Sequence, residues 1–355
     1  MVTDQSAGPF SLNSMIARSD IMGYPLDNMK HLGENLLRLR RQLGPDVPLI
    51  VFKSDVSEAY RLLSVHVNWQ IKQINTLDGH RYVDRCNAFG GRGSGSIWIA
   101  FNSLVTWIAR YIMGISDLLV YCDDSFKIVE ASSLDHYPPF NKMMPIEQIQ
   151  LMNLWTELGI PFKEKKQVYG STLTVIGIEV DPNAMTFTLP NNARLDLLHH
   201  IHEFCSIPSH SHGARHSLRA WQQLAGWLNW SFNVFPLLRP SLNNLYPKIS
   251  GKDNPNASIW VNKVVREDLL WAASHIENAS GIFLLRALDW DPSSAEITIY
   301  CDASMEGMGF WYPETSCAFY SPVPLGVPHD FIFYYEALCV LSDLHHATNN
   351  TFCPN

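Results

Sequence analysis

The sequence predicts a mixed α/β (α+β) protein in which two α/β segments flank a helical connector. Residues 1–190 mix short apolar, strand-like runs with amphipathic helical stretches. Residues 191–285 are largely helical in pattern, and residues 286–355 return to strand alternation before a last helix. Because 46% of the 355 residues are hydrophobic, with 11 Trp and 17 Phe, the chain can form sizeable cores, and a wholly disordered protein is excluded.

The first 90 residues contain clear helix and strand patterns. Leucines at helical spacing predict an amphipathic helix over 26–42. The apolar run that begins at Val47 predicts a buried strand ending at Ser54-Asp55, and a short helix through Tyr60 follows it. Residues 66–89 alternate as a hairpin does, with "LDGH" at the turn.

Residues 90–190 continue the mixture of helices and strands. A Gly-rich turn, "GGRGSG", precedes an apolar helix over 95–109, which is shorter than the ~20 residues that a membrane span requires. Apolar runs on both sides of Asp123-Asp124 predict a hairpin over 117–130. The other elements predicted for the first 190 residues are a strand end and turn at 1–12, a loop at 131–145, a helix at 146–158, and strands at 171–181 and 185–190.

Charge and cysteine content restrict the class of protein only mildly. The net charge of −8 argues against a broadly basic nucleic-acid-binding surface, but it does not decide the matter, since some acids can be metal ligands. Seven cysteines without a CxxC pair, and no signal-peptide pattern, predict reduced thiols in an intracellular protein that is not secreted.

Acidic residues stand where two apolar strands of the first segment end. Asp55 closes one strand, and Asp123 and Asp124 lie between the two halves of a hairpin. If these strands are neighbours, three carboxylates lie close together and require a cation; hard oxygen ligands suit Mg²⁺. Two such ions stabilise the attacking and leaving oxygens of a phosphoryl displacement. The alternative is a solvated β-turn, in which Asp is common.

Five motifs in order resemble the reverse transcriptases of retroelements. They are "FKSDVSEAYR", "NAFGGRGSGSIWIAF", "LLVYCDDSF", "LGIPFKEKK" and "TVIGIEVD". The similarity spans nearly all of the chain and looks most like fungal elements of DIRS type, whose polymerase is followed by a ribonuclease H. The resemblance implies a right-hand polymerase with a palm, a thumb and truncated fingers.

The resemblance also implies roles for the acids and for a lysine. Asp55 and Asp123 would hold two Mg²⁺ ions, or Mn²⁺, with Asp124 as a weaker or second-sphere ligand. Lys165 stands twelve residues before Gly177, which is the family spacing for a lysine proposed as general acid to the pyrophosphate. Lys163 and Lys166 are alternatives for this role, and a solvated lysine cluster is the structural alternative.

Four further residues match the family's nucleotide-binding positions. Tyr60 would stack beneath the ribose and select deoxynucleotides, although it also fits a core aromatic. Phe89 and Gly90 would lie against the nucleotide and the templating base. Arg92 would contact a phosphate, or would be an exposed loop arginine. The implied partners are dNTPs and an RNA or DNA template with its primer, and no membrane.

The last segment resembles the start of a ribonuclease H fold. Asp302 ends an alternating strand and Glu336 follows on a helix, the order in which that fold presents two of its metal-binding acids. Since the fold's third acid lies on a later strand, we expect this part to be truncated and without ribonuclease activity. A surface Glu on an amphipathic helix is the alternative for Glu336.

The resemblance divides the chain into three parts. Residues 1–190 would be a fingers remnant and the palm, 191–285 the thumb and connection helices, and 286–355 the truncated ribonuclease H-like domain. The expected function is the RNA-directed DNA polymerase of a retrotransposon. The alternative is an inactive, truncated remnant that at most binds nucleic acid, and a hybrid-specific nuclease is the weaker third hypothesis.

A His-rich stretch, residues 199–216, carries six His and Cys205. Its spacings fit no standard zinc finger, so we interpret it as a partly exposed connector.

Overall fold

Helices and strands follow the predicted order in the computed structural model, which describes residues 4–21, 23–206, 214–279, 283–284, 293, 295–323 and 332–350. In these residues the α-helices are α1 (Met29–Leu43), α2 (Val67–Gln70), α3 (Ser94–Trp107), α4 (Ile146–Glu157), α5 (Asn191–Cys205), α6 (Leu218–Ser231), α7 (Tyr246–Ile249), α8 (Lys263–Asn278) and α9 (Ile332–Asn350). The chain divides into two compact units, Met1–Leu288 and Asp289–Asn355.

Among the described residues, the strands form three main sheets, two small hairpins and one short pair. They are β1 (Leu49–Val56), β2 (Ile74–Leu77), β3 (His80–Val83), β4 (Leu119–Tyr121), β5 (Asp124–Glu130), β6 (Leu134–Tyr137), β7 (Lys142–Pro145), β8 (Phe162–Gly170), β9 (Leu173–Val175), β10 (Ile178–Asp181), β11 (Thr186–Thr188), β12 (Arg215–Ser217), β13 (Ser258–Trp260), β14 (Phe283–Leu284), β15 (Tyr300–Ala303), β16 (Gly307–Tyr312) and β17 (Cys317–Pro322).

The central sheet of the first unit has the strand order β4-β5-β1-β8, with antiparallel neighbours. Strand β1 is apolar on both faces because both are covered. Phe52 packs with Trp98 of α3 and Trp155 of α4 in one core, whereas Val51 belongs to a second core with Leu36 of α1. The sheet is therefore held between two layers.

Helix α1 confirms the predicted amphipathic helix and has well-formed ends. The Asn28 side chain accepts from the backbone N–H groups of Lys30 and His31, and the His31 ring accepts from the Asn28 N–H in return. Gly44 ends the helix with a φ of 92°. Leu32 and Leu36 are fully buried against the central sheet.

A second sheet, with the order β14-β11-β10-β9, packs with helices α5, α6 and α8 in the larger core. The strand predicted over 171–181 is in fact two strands, β9 and β10. They are joined at Ile176 and Gly177, whose φ angles are 41° and 84°. Trp230 of α6 covers this turn: a Cβ on Gly177 would lie 3.3 Å from Trp230 Nε1.

Two further predictions for the first unit are wrong. Residues 131–145 form the hairpin β6–β7 and not a loop; Asn141 adopts a φ of 50° in its turn, and Phe140 packs edge-on against Tyr137 at 5.0 Å. The polar and Pro-rich composition concealed strands of only four residues. In the described part of residues 1–12 there are turns in place of a strand, followed by a 3-10 helix, Leu12–Met15.

The second unit contains the antiparallel sheet β15-β16-β17 and helix α9. Ala303, Tyr335 and Cys339 form its small core. The predicted strand alternation over 295–322 and the final helix are confirmed. In the described parts of both units, no helix is long and apolar enough to cross a membrane.

Candidate active site

Asp55 and Asp124 lie directly opposite each other at one end of the central sheet. The antiparallel register of β1 and β5 pairs these two residues. Directly opposed side chains on one face have Cβ atoms about 4.5–5.5 Å apart, and like charges in this position are destabilising. The preceding residue, Asp123, lies in the two-residue turn between β4 and β5. Three acidic residues therefore lie at one end of one sheet.

The hairpin turn is fixed by two side chains of α3. Cys122 has a φ of 55°, which is uncommon for a residue other than Gly or Asn. Its carbonyl oxygen accepts from Trp98 Nε1 and from Asn102 Nδ2, each at 3.0 Å. Sequence reasoning missed both residues; the available signal was the amide of Asn102 in a largely apolar helix.

The surroundings make the charged forms of two of these acids costly. Partial burial at the sheet end raises the pKa of the Asp123 carboxyl, and the negative charge of Asp55 raises it further. Burial likewise raises the pKa of Asp124, with Asp55 and Asp123 adding to the shift. The positive charges of Lys53 and Lys166 oppose these shifts. The cluster is thus short of positive charge.

Lys166, and not Lys165, is the lysine that the structure brings to the carboxylates. Lys166 Nζ donates to both carboxylate oxygens of Asp55 at 2.8 Å. Lys165 has an exposed side chain, as does Lys163. The predicted lysine is therefore one residue away from the one that contacts the cluster.

An irregularity in β8 produces this contact. Ser54 pairs with Gln167 while Val56 pairs with Phe162, so that residues 163–166 bulge opposite Asp55. The Gln167 side chain spans the bulge by donating to the carbonyls of Asp55 at 3.0 Å and Lys163 at 3.2 Å.

Tyr60 and Phe89 lie together beside the hairpin. Their ring centroids are 5.2 Å apart at an angle of 57°. Burial raises the pKa of the Tyr60 hydroxyl, and the groups at Cys122 and Asp123 raise it further, which places this hydroxyl within electrostatic range of the turn. Phe89 is 43% exposed, so part of its ring is accessible to solvent. Next to it, Gly90 adopts a φ of 83°.

Arg92 is engaged within the protein. Its guanidinium donates to the carbonyl of Ile16 at 2.6 Å. Asn13, which is 7% exposed, accepts from the Arg92 backbone N–H at 2.6 Å and donates to the Gly90 carbonyl at 2.9 Å. Asn13 was not singled out from the sequence, yet it attaches the N-terminal segment to the Gly-rich loop.

In the second unit, Asp302 is exposed on β15 and Glu336 is half-buried on α9. Burial raises the pKa of the Cys301 thiol, and Glu336 and Asp302 contribute to the shift, so both acids lie within electrostatic range of this sulfur. A buried acid that the sequence reasoning missed, Asp343, also contributes.

The His-rich stretch is described only in part, since residues 207–213 lie outside the described residues. His199 and His200 on α5 both lie 3.9 Å from the carboxylate of Glu203. The His216 ring stacks on Phe204, with centroids 4.0 Å apart. These contacts are those of a partly exposed connector.

The cluster at Asp55 has the donor chemistry of a magnesium site, because all its ligand atoms are carboxylate oxygens. In the conformation described, the Lys166 ammonium takes the position of a cation on Asp55. Across the described residues, no group of three or more His, Cys, Asp or Glu side chains is already arranged to enclose a metal ion.

No protein-family model and no curated protein match the sequence. Solved structures resemble the fold, among them a foamy viral protease-reverse transcriptase in complex with double-stranded DNA (TM-score 0.52, 14% identity, 98% of this chain and 53% of that chain). Another is a foamy viral protease-reverse transcriptase in complex with an RNA/DNA hybrid (TM-score 0.50, 14% identity, 95% of this chain and 40% of that chain). The chain spans about half the length of these structures or less. At this identity the likeness concerns the fold, and the chain has a reverse transcriptase-like fold.

Proposed function

We propose that the chain is a nucleotidyltransferase, the RNA-directed DNA polymerase of a retrotransposon, which adds deoxynucleotides to a primer 3′-OH. The central sheet would be the palm, and the helices of residues 191–285 the thumb and connection. The observation that carries the proposal is the register of Asp55 with Asp124, beside Asp123. Three converging carboxylates are costly unless they neutralise bound cations, which is what phosphoryl transfer requires. The fold and the nucleic acid in the two related structures support it.

The reaction would depend on positioning and charge neutralisation. Asp55 and Asp123 would hold two Mg²⁺ ions, with Asp124 assisting; when bound, these ions supply the positive charge that the attacking and leaving oxygens need. Asp124 would support the position of Asp55 through the shared register. Trp98 and Asn102 of α3 form a clamp on the turn by donating to the Cys122 carbonyl. This clamp would keep Asp123 at the tip of the turn.

The substrate side of the site would use the aromatic pair and the Gly-rich loop. Tyr60 and Phe89 would contact the incoming deoxynucleotide, and Gly90 allows its backbone to approach closely. Arg92 would hold the loop and would not bind a phosphate, because its guanidinium donates to the Ile16 carbonyl. We retain Lys165 as the proposed proton donor to pyrophosphate, because its side chain is exposed and Lys166 is engaged with Asp55.

Primer extension on poly(rA)/oligo(dT) with Mg²⁺ tests the proposal. The wild type should extend the primer, and Asp123→Asn should lower the rate by at least about a hundredfold, since a metal-binding charge is lost. Asp253→Asn makes the same chemical change at an exposed loop and should leave the rate unchanged. A folded wild type that binds the template-primer without extending it would contradict polymerase activity and favour the non-catalytic alternative.

A further inference from the structure

Lys166 approaches Asp55 as a bound cation would. Its Nζ lies 2.8 Å from Oδ1 and 2.8 Å from Oδ2 of the carboxylate. We propose that Lys166 is the resident counter-ion of the carboxylate cluster and leaves Asp55 when a divalent cation binds. The inference rests on the proposed function, because it takes Asp55, Asp123 and Asp124 as the site of that cation.

The backbone of β8 places Lys166 beside Asp55. Regular pairing of β8 with β1 would give one residue opposite Asp55, but four residues, 163–166, occupy the interval. The Gln167 amide ties the two sides of this bulge together through the carbonyls of Asp55 and Lys163. Gln167 is 7% exposed, so its amide lies within the fold. Lys166 is therefore held at the cluster by the backbone path of β8 and by this bridge.

The cluster requires such a counter-ion when no divalent cation is present. Asp55 and Asp124 are opposed in register, and a third acidic residue, Asp123, immediately precedes Asp124. Lys53 and Lys166 are the cations whose charges act on Asp123 and Asp124. Two positive charges against three negative ones leave the cluster with a net negative charge, which continues to attract a cation.

Lys166 can leave without disturbing a core. Its side chain is 38% exposed, whereas that of Asp55 is 22% exposed. A lysine stem with four rotatable bonds can carry its ammonium into water at small cost. Movement of Lys166 would open both oxygens of Asp55 to a cation, so the lysine and the cation compete for one carboxylate.

Binding of Mn²⁺ to the full chain without nucleic acid tests this competition, with free Mn²⁺ measured by electron paramagnetic resonance. Lys166→Gln removes the competitor and should bind Mn²⁺ about tenfold more tightly than the wild type. Lys166→Arg keeps a cation at Asp55 and should bind Mn²⁺ no more tightly than the wild type does. Lys165→Gln makes the same charge change at an exposed neighbouring residue and should leave the affinity for Mn²⁺ unchanged.

A second measurement does not depend on metal affinity. Without divalent cations, Lys166→Gln should unfold at a lower temperature than Lys165→Gln, because Asp55 then faces Asp124 without its counter-ion. Addition of Mn²⁺ should remove most of this difference. Circular dichroism of each variant at 20 °C shows whether it is folded at the start, and Lys166→Arg keeps the test decisive should the Gln variant fail to fold.

The outcomes separate this inference from the proposed function. If Asp123→Asn weakens Mn²⁺ binding and Lys166→Gln binds like Lys165→Gln, the cation site stands and the counter-ion role is overturned. If Lys53→Gln tightens binding as much as Lys166→Gln, the effect is one of general charge, and displacement from Asp55 is overturned. If the wild type and Asp123→Asn bind Mn²⁺ equally, both the cation site and the inference are overturned.

Discussion

Trp98 donates its indole N–H to the carbonyl oxygen of Cys122 at 3.0 Å, and thereby joins the apolar helix α3 to the turn that carries Asp123. Trp98 is fully buried, so the indole that donates this bond is held within a packed core. Asn102, one turn further along the helix, donates to the same oxygen. The helix that forms one core of the first unit also sets the geometry of the candidate site.

Removal of one half of this clamp should affect the site more than the fold. Asn102→Leu keeps the branched shape and the number of heavy atoms of the side chain, and it leaves Cys122 with the bond from Trp98. We expect unfolding in urea to show a loss of about 1 kcal/mol and primer extension to fall by at least about tenfold, since small displacements of catalytic groups are costly. Ser103→Ala, at an exposed neighbour, is the control. Equal extension by Asn102→Leu and wild type would contradict a role for the clamp.

The raised pKa of Asp124 predicts a dependence of stability on pH. The folded protein holds this proton to higher pH than the unfolded chain does, so stability is lost as pH rises from the ordinary carboxyl range through the raised pKa. Asp124→Asn removes this loss. In urea unfolding with EDTA, its stability relative to the wild type should increase between pH 4 and pH 7, and a constant difference would be evidence against the shift.

Gly177 should tolerate alanine less well than Gly159, although both have positive φ angles, 84° and 69°. A Cβ at Gly159 meets no atom within 4 Å, so Gly159→Ala carries the backbone cost alone, about 1–2 kcal/mol. At Gly177 the new Cβ would lie 3.3 Å from Trp230 Nε1, and we expect about 1 kcal/mol more. Parallel urea unfolding measures the difference; equal losses would show that Trp230 adjusts freely.

Cys205 and Cys317 should differ in reactivity towards thiol reagents. Burial raises the pKa of the Cys205 thiol to about 11, and the side chain is 2% exposed. Since the thiolate is the reactive form, iodoacetamide at pH 8 should label the exposed Cys317 at least about a hundredfold faster. Peptide mass spectrometry over time measures both rates. The difference should vanish in urea, and similar rates in the native protein would contradict the burial of Cys205.

The sequence predicted the elements around the site well, because their patterns are local. An apolar strand ending at Asp55 and a hairpin around Asp123-Asp124 require only alternation and turn chemistry, and the structure pairs these strands as neighbours. The roles assigned to these acids remain predictions. The hairpin β6–β7 was missed because four-residue strands carry too short a pattern.

Other features of the site depend on contacts between distant residues. Alternation along β8 cannot reveal a bulge, so the sequence did not distinguish Lys165 from Lys166. The amide of Asn102 finds its acceptor twenty residues away, in a turn whose position follows from the packed sheet. Such pairings become visible only after the chain has folded.

The buried amide of Asn13 joins two segments that are 77 residues apart in the chain, by bonding to Gly90 and Arg92 of the Gly-rich loop. Since neither partner can open without breaking those bonds, the backbone amides of the two segments should exchange with deuterium as one cooperative unit. Order in the loop beside Phe89 is then set partly by residues 4–16, and a substitution at either end would appear as faster exchange at the other.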